Sequence, residues 1–274
     1  MAEPFFLIQH WKKQQKIFTA NLLLLKSKSD MDPIHNWRVS VKKLRSYLKL
    51  FFLIQDRKYD KEWLANSEKL FRIIGKQRDI SMSQSLLAEL AKKDNASRIS
   101  FNAYFDYAFL EAQKRTNQAL HDFNDEELQK VYEHISIGLS KKSIEKIKTQ
   151  AEDIIRKQIG KISELLKNTS QKNAHKLRKL MKDLLYWTSI CPSPTPINAG
   201  GLKILGKITD KFGNWQDMNV FITKIKHFRS DQLAKKTDEY FIYKLLEKQL
   251  KKKNQEHLQK AEKTAKDFFY KIHS

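Results

Sequence analysis

The sequence predicts an all-α protein, and three observations favour that fold class. The 274 residues include only 7 glycines and 5 prolines, so little turn material is present for β-hairpins. Three of the prolines fall in one run, CPSPTP, which leaves long tracts rich in Leu, Lys, Gln and Ile uninterrupted. Those tracts combine high helix propensity with apolar residues at helical spacing. Together these features predict helices along most of the chain.

Local signals indicate the ends of several predicted helices. Asp32 followed by Pro33 is typical of a helix start, because an N-cap residue precedes a proline in the first turn. Gly75 and Gly213 are each placed to end a helix in the left-handed conformation. The proline-rich run at 191–196 is the clearest long break. The predicted helices span 4–28, 33–55, 59–74, 80–94, 97–121, 124–139, 141–168, 171–189, 198–212, 217–229 and 231–272.

The charge balance indicates an anionic partner. Lys and Arg number 53 against 31 Asp and Glu, which gives a formal net charge of +22. A surplus of this size attracts polyanions such as nucleic acid, an acidic membrane surface or polyphosphate, without distinguishing among them.

Three features of the sequence predict a cytoplasmic protein. The single cysteine, Cys191, excludes an internal disulfide and fits a reducing compartment. The first residues, MAEPFFLIQHWKKQ, have an acid before a short apolar run and no small-residue cleavage pattern, so no signal peptide is expected. The densest aliphatic run, NLLLLK, falls far short of the ~20 apolar residues that a membrane span needs. We therefore expect no membrane partner.

A basic motif occurs twice in the chain. The segment PIHNWRVSVKKLRSYLKLF at 33–51 recurs as NAHKLRKLMKDLLYWTSI at 173–190, and IIGKQRDISM at 73–82 recurs as DKFGNWQDMNV at 210–220. The order and separation of the two motifs are nearly the same in both copies, so the sequence predicts two similar helical halves that join near Gly138. The matched residues are His35, Arg38 and Lys42 with His175, Arg178 and Lys182, at an offset of 140, and Gly75 and Asp79 with Gly213 and Asp217, at an offset of 138.

The spacing of the first motif places its basic residues along one edge of a helix. Residues at i, i+3 and i+7 share a side because each residue advances about 100°. The basic positions fall within an arc of roughly 80°, beside the arc that holds Trp37, Val41 and Leu44. A solvated charged face would lie opposite the apolar one, so we expect this edge to line a groove or channel that holds a repeating anion. The first basic row comprises His35, Arg38, Lys42, Arg45 and Lys49, and the second basic row comprises His175, Arg178 and Lys182.

The two repeated aspartates, Asp79 and Asp217, fit either of two roles. Each follows a predicted helix-ending glycine by four residues and precedes an apolar run, which is typical of an N-cap. Alternatively, each carboxylate orients a nearby histidine or arginine by hydrogen bonding and so supports the basic rows.

No catalytic or metal-binding motif accompanies the basic rows. The chain contains no H-E-x-x-H, E-x-x-H or C-x-x-C pattern, no phosphate-binding glycine loop and no nucleophile elbow. We therefore expect no metal, no cofactor and no catalytic residue.

Two alternative functions stay open. One is a phosphohydrolase or phosphotransferase in which His35 or His175 handles a phosphoryl group while Asp79 or Asp217 assists. The other is a protein that binds nucleic acid through its phosphates.

Four motifs in this chain resemble those of the CHAD domains, the histidine-bearing α-helical domain family. They are IHNWRVSVKKLRSYLKLF, GKQRDI, AHKLRKLMKDLLY and GNWQDM, in the family's order and across essentially the whole chain. The resemblance implies one domain over 1–274, in which two antiparallel four-helix bundles, 1–138 and 139–274, are related by pseudo-two-fold symmetry around a central basic pore or groove. It also implies binding of inorganic polyphosphate and association with polyphosphate granules. The ligands that it implies are His35, Arg38, Lys42, Arg45, His175, Arg178 and Lys182.

The second copy departs from the family pattern. Leu185 stands where the family usually has an arginine, and Asp183 adds an acid nearby, so we expect the second half to bind more weakly. The chain has no E-x-E-x-K strand signature of an attached triphosphate-tunnel (CYTH) domain, which indicates a stand-alone CHAD domain.

Overall fold

The computed structural model describes residues 6–27, 31–91, 99–168, 170–191 and 197–273. Across these residues the chain forms nine α-helices and one turn of 3₁₀ helix, Lys61–Leu64, without a strand, which confirms the all-α prediction. The α-helices are α1 Phe6–Ser27, α2 Met31–Ile54, α3 Ala65–Ala91, α4 Ile99–His121, α5 Glu127–Ser140, α6 Ile144–Lys167, α7 Gln171–Ile190, α8 Ala199–Gln232 and α9 Asp238–His273.

Side-chain caps determine where three helices of the second half begin. Ser143, Ser170 and Asn198 are the N-caps of α6, α7 and α8, and each accepts a hydrogen bond from the backbone amide three residues further on. Each bond satisfies one of the amides that the first turn of a helix leaves unpaired. The cap at Ser170 therefore sets the start of the helix that carries the second basic row.

Gly75 and Gly213 lie inside helices, so the prediction that they end helices is wrong. α3 and α8 run through them, and no glycine in the described residues has a positive φ. A helix-interior glycine costs about 1 kcal/mol relative to alanine, whereas burying one large apolar side chain contributes about 1.5–3 kcal/mol. Ile74 and Phe212, the residues before the two glycines, are fully buried and favour the continuous helices.

The structure also differs from the prediction at other helix ends. Because α3 and α8 are continuous, Asp79 and Asp217 lie within helices, and the predicted N-cap role is wrong for both. α2 begins at Met31, before Pro33, since the first turn of a helix tolerates a proline without losing a hydrogen bond. Cys191 caps the C-terminal end of α7, and the rest of the predicted break, 192–196, lies outside the described residues.

Four helices form a ring at the centre of the molecule. α2 packs on α3, α3 on α8, α8 on α7, and α7 on α2. α1, α4, α6 and α9 pack on the outside of this helix ring, against α2, α3, α7 and α8 respectively. Both basic rows and both glycine–aspartate motifs belong to ring helices, so the packing brings the four motifs near one another.

Apolar packing is continuous across the predicted boundary between the halves. The larger hydrophobic cluster contains Trp37 of the first half together with Trp187 and Phe212 of the second. The smaller cluster joins the C-terminal parts of α3 and α8 to the N-terminal parts of α4 and α9. A buried hydrogen bond of 2.8 Å from the Trp187 indole to the Ser46 carbonyl oxygen also links the halves. The division near Gly138 and the pseudo-two-fold relation stay predictions.

Replacing Gly213 by alanine is expected to stabilise the protein. The added methyl group meets no heavy atom of the described residues within 4 Å, and alanine is more stable than glycine at an interior helix position. Urea unfolding of Gly213→Ala should therefore show a free energy of unfolding that is higher by roughly 0.5–1 kcal/mol. Gly160→Ala in α6, where the methyl group also meets nothing within 4 Å, is the matched control. A loss of stability for Gly213→Ala alone would mean that a helix ends at Gly213 after all.

Candidate anion-binding site

The first basic row lies at the border of the hydrophobic core. Trp37 and Val41 of α2 are fully buried, and the neighbouring side chains of Arg38 and Lys42 are half-buried. His35, near the start of the helix, is exposed. The row therefore runs along the edge of the core, where water reaches the charged groups only in part.

The two basic rows approach each other where α2 packs on α7. Burial, together with the charges of Arg38, Arg178, Arg78 and Lys182, lowers the pKa of Lys42 to about 7. These cations belong to α2, α3 and α7, so Lys42 lies where three helices converge. The charged form of Lys42 is disfavoured in these surroundings, and a neighbouring anion would restore it.

Arg38 is held tightly against α3. Its Nη1 donates a hydrogen bond of 2.6 Å to the Phe71 carbonyl oxygen, and its guanidinium lies 3.9 Å from the centroid of the Phe71 ring. A methyl group at Gly75 would lie 2.7 Å from Nη1, so the glycine leaves room for this guanidinium inside the helix ring. Burial lowers the pKa of Arg38 to about 10, and its Nε has no hydrogen-bond partner among the described residues.

Carboxylates from neighbouring helices pair with the outer cations of both rows. The pair of Lys49 with Asp183 joins α2 to α7, so the acid that departs from the family pattern links the two halves. Leu185, at the position of the missing arginine, packs against the larger hydrophobic cluster. The three pairs are Arg45 Nε with Glu68 Oε1 at 2.5 Å, Lys49 Nζ with Asp183 Oδ2 at 2.6 Å, and Lys182 Nζ with Asp210 Oδ1 at 3.3 Å.

Arg78 of α3 adds a cation that the sequence reasoning missed. Its Nη1 and Nη2 donate hydrogen bonds of 3.2 and 3.1 Å to the two carboxylate oxygens of Asp217, and Nη1 lies 3.5 Å from Asp79 Oδ1. Burial opposes the charge of Arg78, but the hydrogen bonds and charges of the two aspartates raise its pKa overall. The available signal was its position directly before Asp79 in the repeated motif. Its counterpart in the second copy is Gln216, so no repeated cation marked the site.

Both aspartates therefore contact an arginine, which agrees with the predicted role of a carboxylate that orients a neighbouring basic side chain. Burial raises the pKa of Asp79, although the charges of Arg38, Arg78 and Lys224 act in the opposite direction. Lys224, on α8, is a further cation near the site that the repeat did not indicate.

The two histidines differ in their surroundings. His175 Nδ1 lies 3.1 Å from Gln216 Oε1. The pKa of His35 is lowered by partial desolvation of its ring and by the charges of Arg78, Lys42 and Arg38, while the charge of Asp32 acts in the opposite direction. Within the described ranges neither histidine is paired with a carboxylate, so the aspartates do not orient them.

A central cluster of three cations, Arg38, Lys42 and Arg178, has no carboxylate within ion-pair distance in the part of the chain that the structure describes. Burial lowers the pKa of Arg178, although the charge of Asp217 acts in the opposite direction. Its Nε, like that of Arg38, is buried and has no hydrogen-bond partner among the described residues. Half-buried cations that lack partners favour a ligand with negative charge. This central cluster, with Arg78 beside it, is the candidate anion-binding site.

Neither a metal-binding cluster nor a membrane-spanning helix occurs among the described residues. No group of three or more His, Cys, Asp or Glu side chains among them is arranged to hold a metal ion. None of the described helices combines the length and apolarity that crossing a membrane requires.

Two solved structures have a similar fold. The crystal structure of the CHAD domain from the plant Ricinus communis matches with a TM-score of 0.68 over 93% of this chain and 88% of that chain, at 15% sequence identity. PptA from Streptomyces chartreusis matches with a TM-score of 0.61 over 94% of this chain and 99% of that chain, at 13% identity. At such low identity both matches show the fold alone. No curated protein matches the sequence significantly.

The family model of the CHAD domain matches residues 9–226. The matched region contains α2, α3, α7 and most of α8, the helices that carry the cations and carboxylates of the candidate site. The match covers most of the chain, and the fold agrees with a solved CHAD domain. The chain therefore belongs to the CHAD domain family.

Proposed function

We propose that the protein binds inorganic polyphosphate between the ring helices α2, α3, α7 and α8. The observation that carries the proposal is the central cluster of Arg38, Lys42 and Arg178, which is half-buried and has no carboxylate within ion-pair distance among the described residues. The more distant charges of Asp79 and Asp217 do not prevent burial from lowering the pKa of the two arginines. The planar guanidinium groups suit bidentate contacts to phosphate oxygens, and the lysine adds a mobile point charge. The link between CHAD domains and polyphosphate supports this choice of anion.

The shape of the basic rows favours a threadlike ligand. From His35 to Lys49 the first row extends about 21 Å along the helix axis, at 1.5 Å per residue. Its cations approach those of the second row instead of spreading over an open surface. A linear polyphosphate repeats its charge along its length and can neutralise several of these cations at once. Association with polyphosphate granules in the cytoplasm is the cellular counterpart of this proposal.

The proposed role is binding without chemical conversion of the phosphate chain. In the described part of the chain no carboxylate lies within ion-pair distance of His35 or His175 to orient the ring for nucleophilic or acid–base work, and Asp32 acts on His35 only through its charge. Shortening of polyphosphate chains by the purified protein, abolished in His35→Ala, would instead support a phosphohydrolase or phosphotransferase.

A competition titration tests the proposed ligand. At fixed ionic strength and equal phosphate concentration, we expect long polyphosphate to displace a labelled polyphosphate probe more effectively than tripolyphosphate, RNA or DNA. The reason is that only a long, narrow chain can follow the first basic row over its length of about 21 Å. Equal competition by RNA or DNA would mean that the site attracts negative charge without regard to shape, as a nucleic-acid-binding protein does.

Charge reversal at Arg178 should weaken polyphosphate binding. We expect Arg178→Glu to cost at least about 1–3 kcal/mol of binding free energy, the scale of a hydrogen bond to a charged group. The matched control is Lys179→Glu, which makes the same charge change at the next residue of α7 on an exposed position. Isothermal titration calorimetry gives both values, and circular dichroism checks the fold. Equal losses for the two variants would place the binding site elsewhere.

Binding should weaken as the pH rises from 6 to 8. The pKa of Lys42 is about 7, because of burial and of the facing cations Arg38, Arg178, Arg78 and Lys182, so Lys42 is mostly charged at pH 6 and mostly neutral at pH 8. A polyanion favours the charged form, and binding above pH 7 should therefore take up a proton. Calorimetry in buffers of different ionisation enthalpy measures that uptake.

Lys42→Arg is the matched variant for this pH dependence, since arginine stays charged over the same range. Its affinity should change less between pH 6 and pH 8 than that of the unmodified protein. The same pH dependence in both proteins would exclude Lys42 as its source.

A further inference from the structure

The carboxylate of Asp217 occupies the guanidinium fork of Arg78. Two N–H···O bonds, of 3.2 and 3.1 Å, join Nη1 and Nη2 of the arginine to the two carboxylate oxygens. Two such parallel bonds are also the geometry in which an arginine binds a phosphate group. Asp217 therefore takes up the contacts of Arg78 that a phosphate would use.

The environment of the Arg78–Asp217 pair differs from that of the outer pair Lys182–Asp210. The side chain of Asp210, the partner of Lys182, is 72% exposed, so water screens that pair. The side chains of Arg78 and Asp217 are 17% and 23% exposed, so their interaction is screened less. The Arg78–Asp217 pair also joins α3 to α8, and hence the first half of the chain to the second.

Displacing Asp217 from Arg78 costs free energy, and the contacts of a short anion do not offset that cost. The displaced carboxylate stays half-buried and loses its two hydrogen bonds to Arg78, beside Asp79, whose pKa burial already raises. A short phosphate chain has few phosphate groups, so it forms few contacts that offset this cost. A chain that also reaches Arg38, Lys42 and Arg178 gains three cations that have no carboxylate within ion-pair distance among the described residues, which offsets the loss.

We propose that Asp217 determines the chain-length preference of the site, because it competes with phosphate for the guanidinium of Arg78 and only a long polyphosphate displaces it. The inference rests on the proposed function, since it concerns the same site and the same ligand. It assigns to Asp217 a role in selectivity, in addition to its contact with Arg78.

The variant Asp217→Asn tests this role, because asparagine keeps the shape of the side chain and removes its charge. Dissociation constants for tripolyphosphate and for long polyphosphate are measured at one ionic strength. We expect the affinity for tripolyphosphate to rise at least tenfold and that for long polyphosphate to rise less. The ratio of the dissociation constant for tripolyphosphate to that for long polyphosphate should therefore fall. Loss of affinity for both ligands would make Asp217 a positioning residue for Arg78 and would overturn the proposal, as would an unchanged ratio.

Asp210→Asn is the matched control, since it removes an acid paired with a cation of the second row at an exposed position. It should change the ratio by less than about twofold, the scale of a screened surface pair. A change as large as that of Asp217→Asn would show a general effect of net charge and would overturn the proposal.

A second variant keeps the test decisive if Asp217→Asn does not fold. The double variant Arg78→Gln with Asp217→Asn removes both charges of the pair, so neither is left without its partner. It also gives position 78 the residue type of its counterpart in the second copy, Gln216. The ratio should again fall below that of the unmodified protein, and an unchanged ratio would contradict the proposal. Failure of the unmodified protein to bind long polyphosphate would instead overturn the proposed function, so the two failures are distinguishable.

Discussion

The concentration of positive charge beside an apolar core is the constraint on which the rest of this structure depends. Cations from α2, α3 and α7 meet where water reaches them only in part, and each disfavours the charged state of the others. Lys42 shows the effect most clearly, because burial and four neighbouring cations lower its pKa to about 7. The free energy that offsets this repulsion comes from the two hydrophobic clusters, which continue across the predicted halves of the chain.

The protein stabilises its cations in two different ways. At the outer positions, carboxylates from neighbouring helices pair with Arg45, Lys49 and Lys182. In the central cluster, Arg38 instead bonds to a backbone carbonyl oxygen and stacks on the ring of Phe71, neither of which neutralises its charge. The centre of the site therefore keeps its attraction for an anion, while the outer positions are already balanced.

The two copies of the repeated motif contribute unequally to the site. The first copy provides Arg45 and Arg78, and the second has Leu185 and Gln216 at the corresponding positions. Leu185 packs against the larger hydrophobic cluster, and Gln216 lies beside His175. The Arg78–Asp217 pair depends on this asymmetry, because the arginine comes from the first copy and the carboxylate from the second. A repeat that was symmetric in sequence would bring two arginines and two aspartates together instead.

The sequence by itself determined the all-α class, the two basic rows and the repeated motifs, because helical spacing and residue type are local properties that a single chain displays. A glycine can end a helix or lie inside one, so the sequence alone did not specify the conformation at Gly75. The packing of the helices decided that α3 continues through it, with the guanidinium of Arg38 packed beside the glycine. Packing also decided the pairs of Arg78 with Asp217 and of Lys49 with Asp183, whose members are 139 and 134 residues apart. Over such separations the partner of a charged side chain depends on which helices are neighbours and on how they are rotated, and a one-dimensional pattern specifies neither.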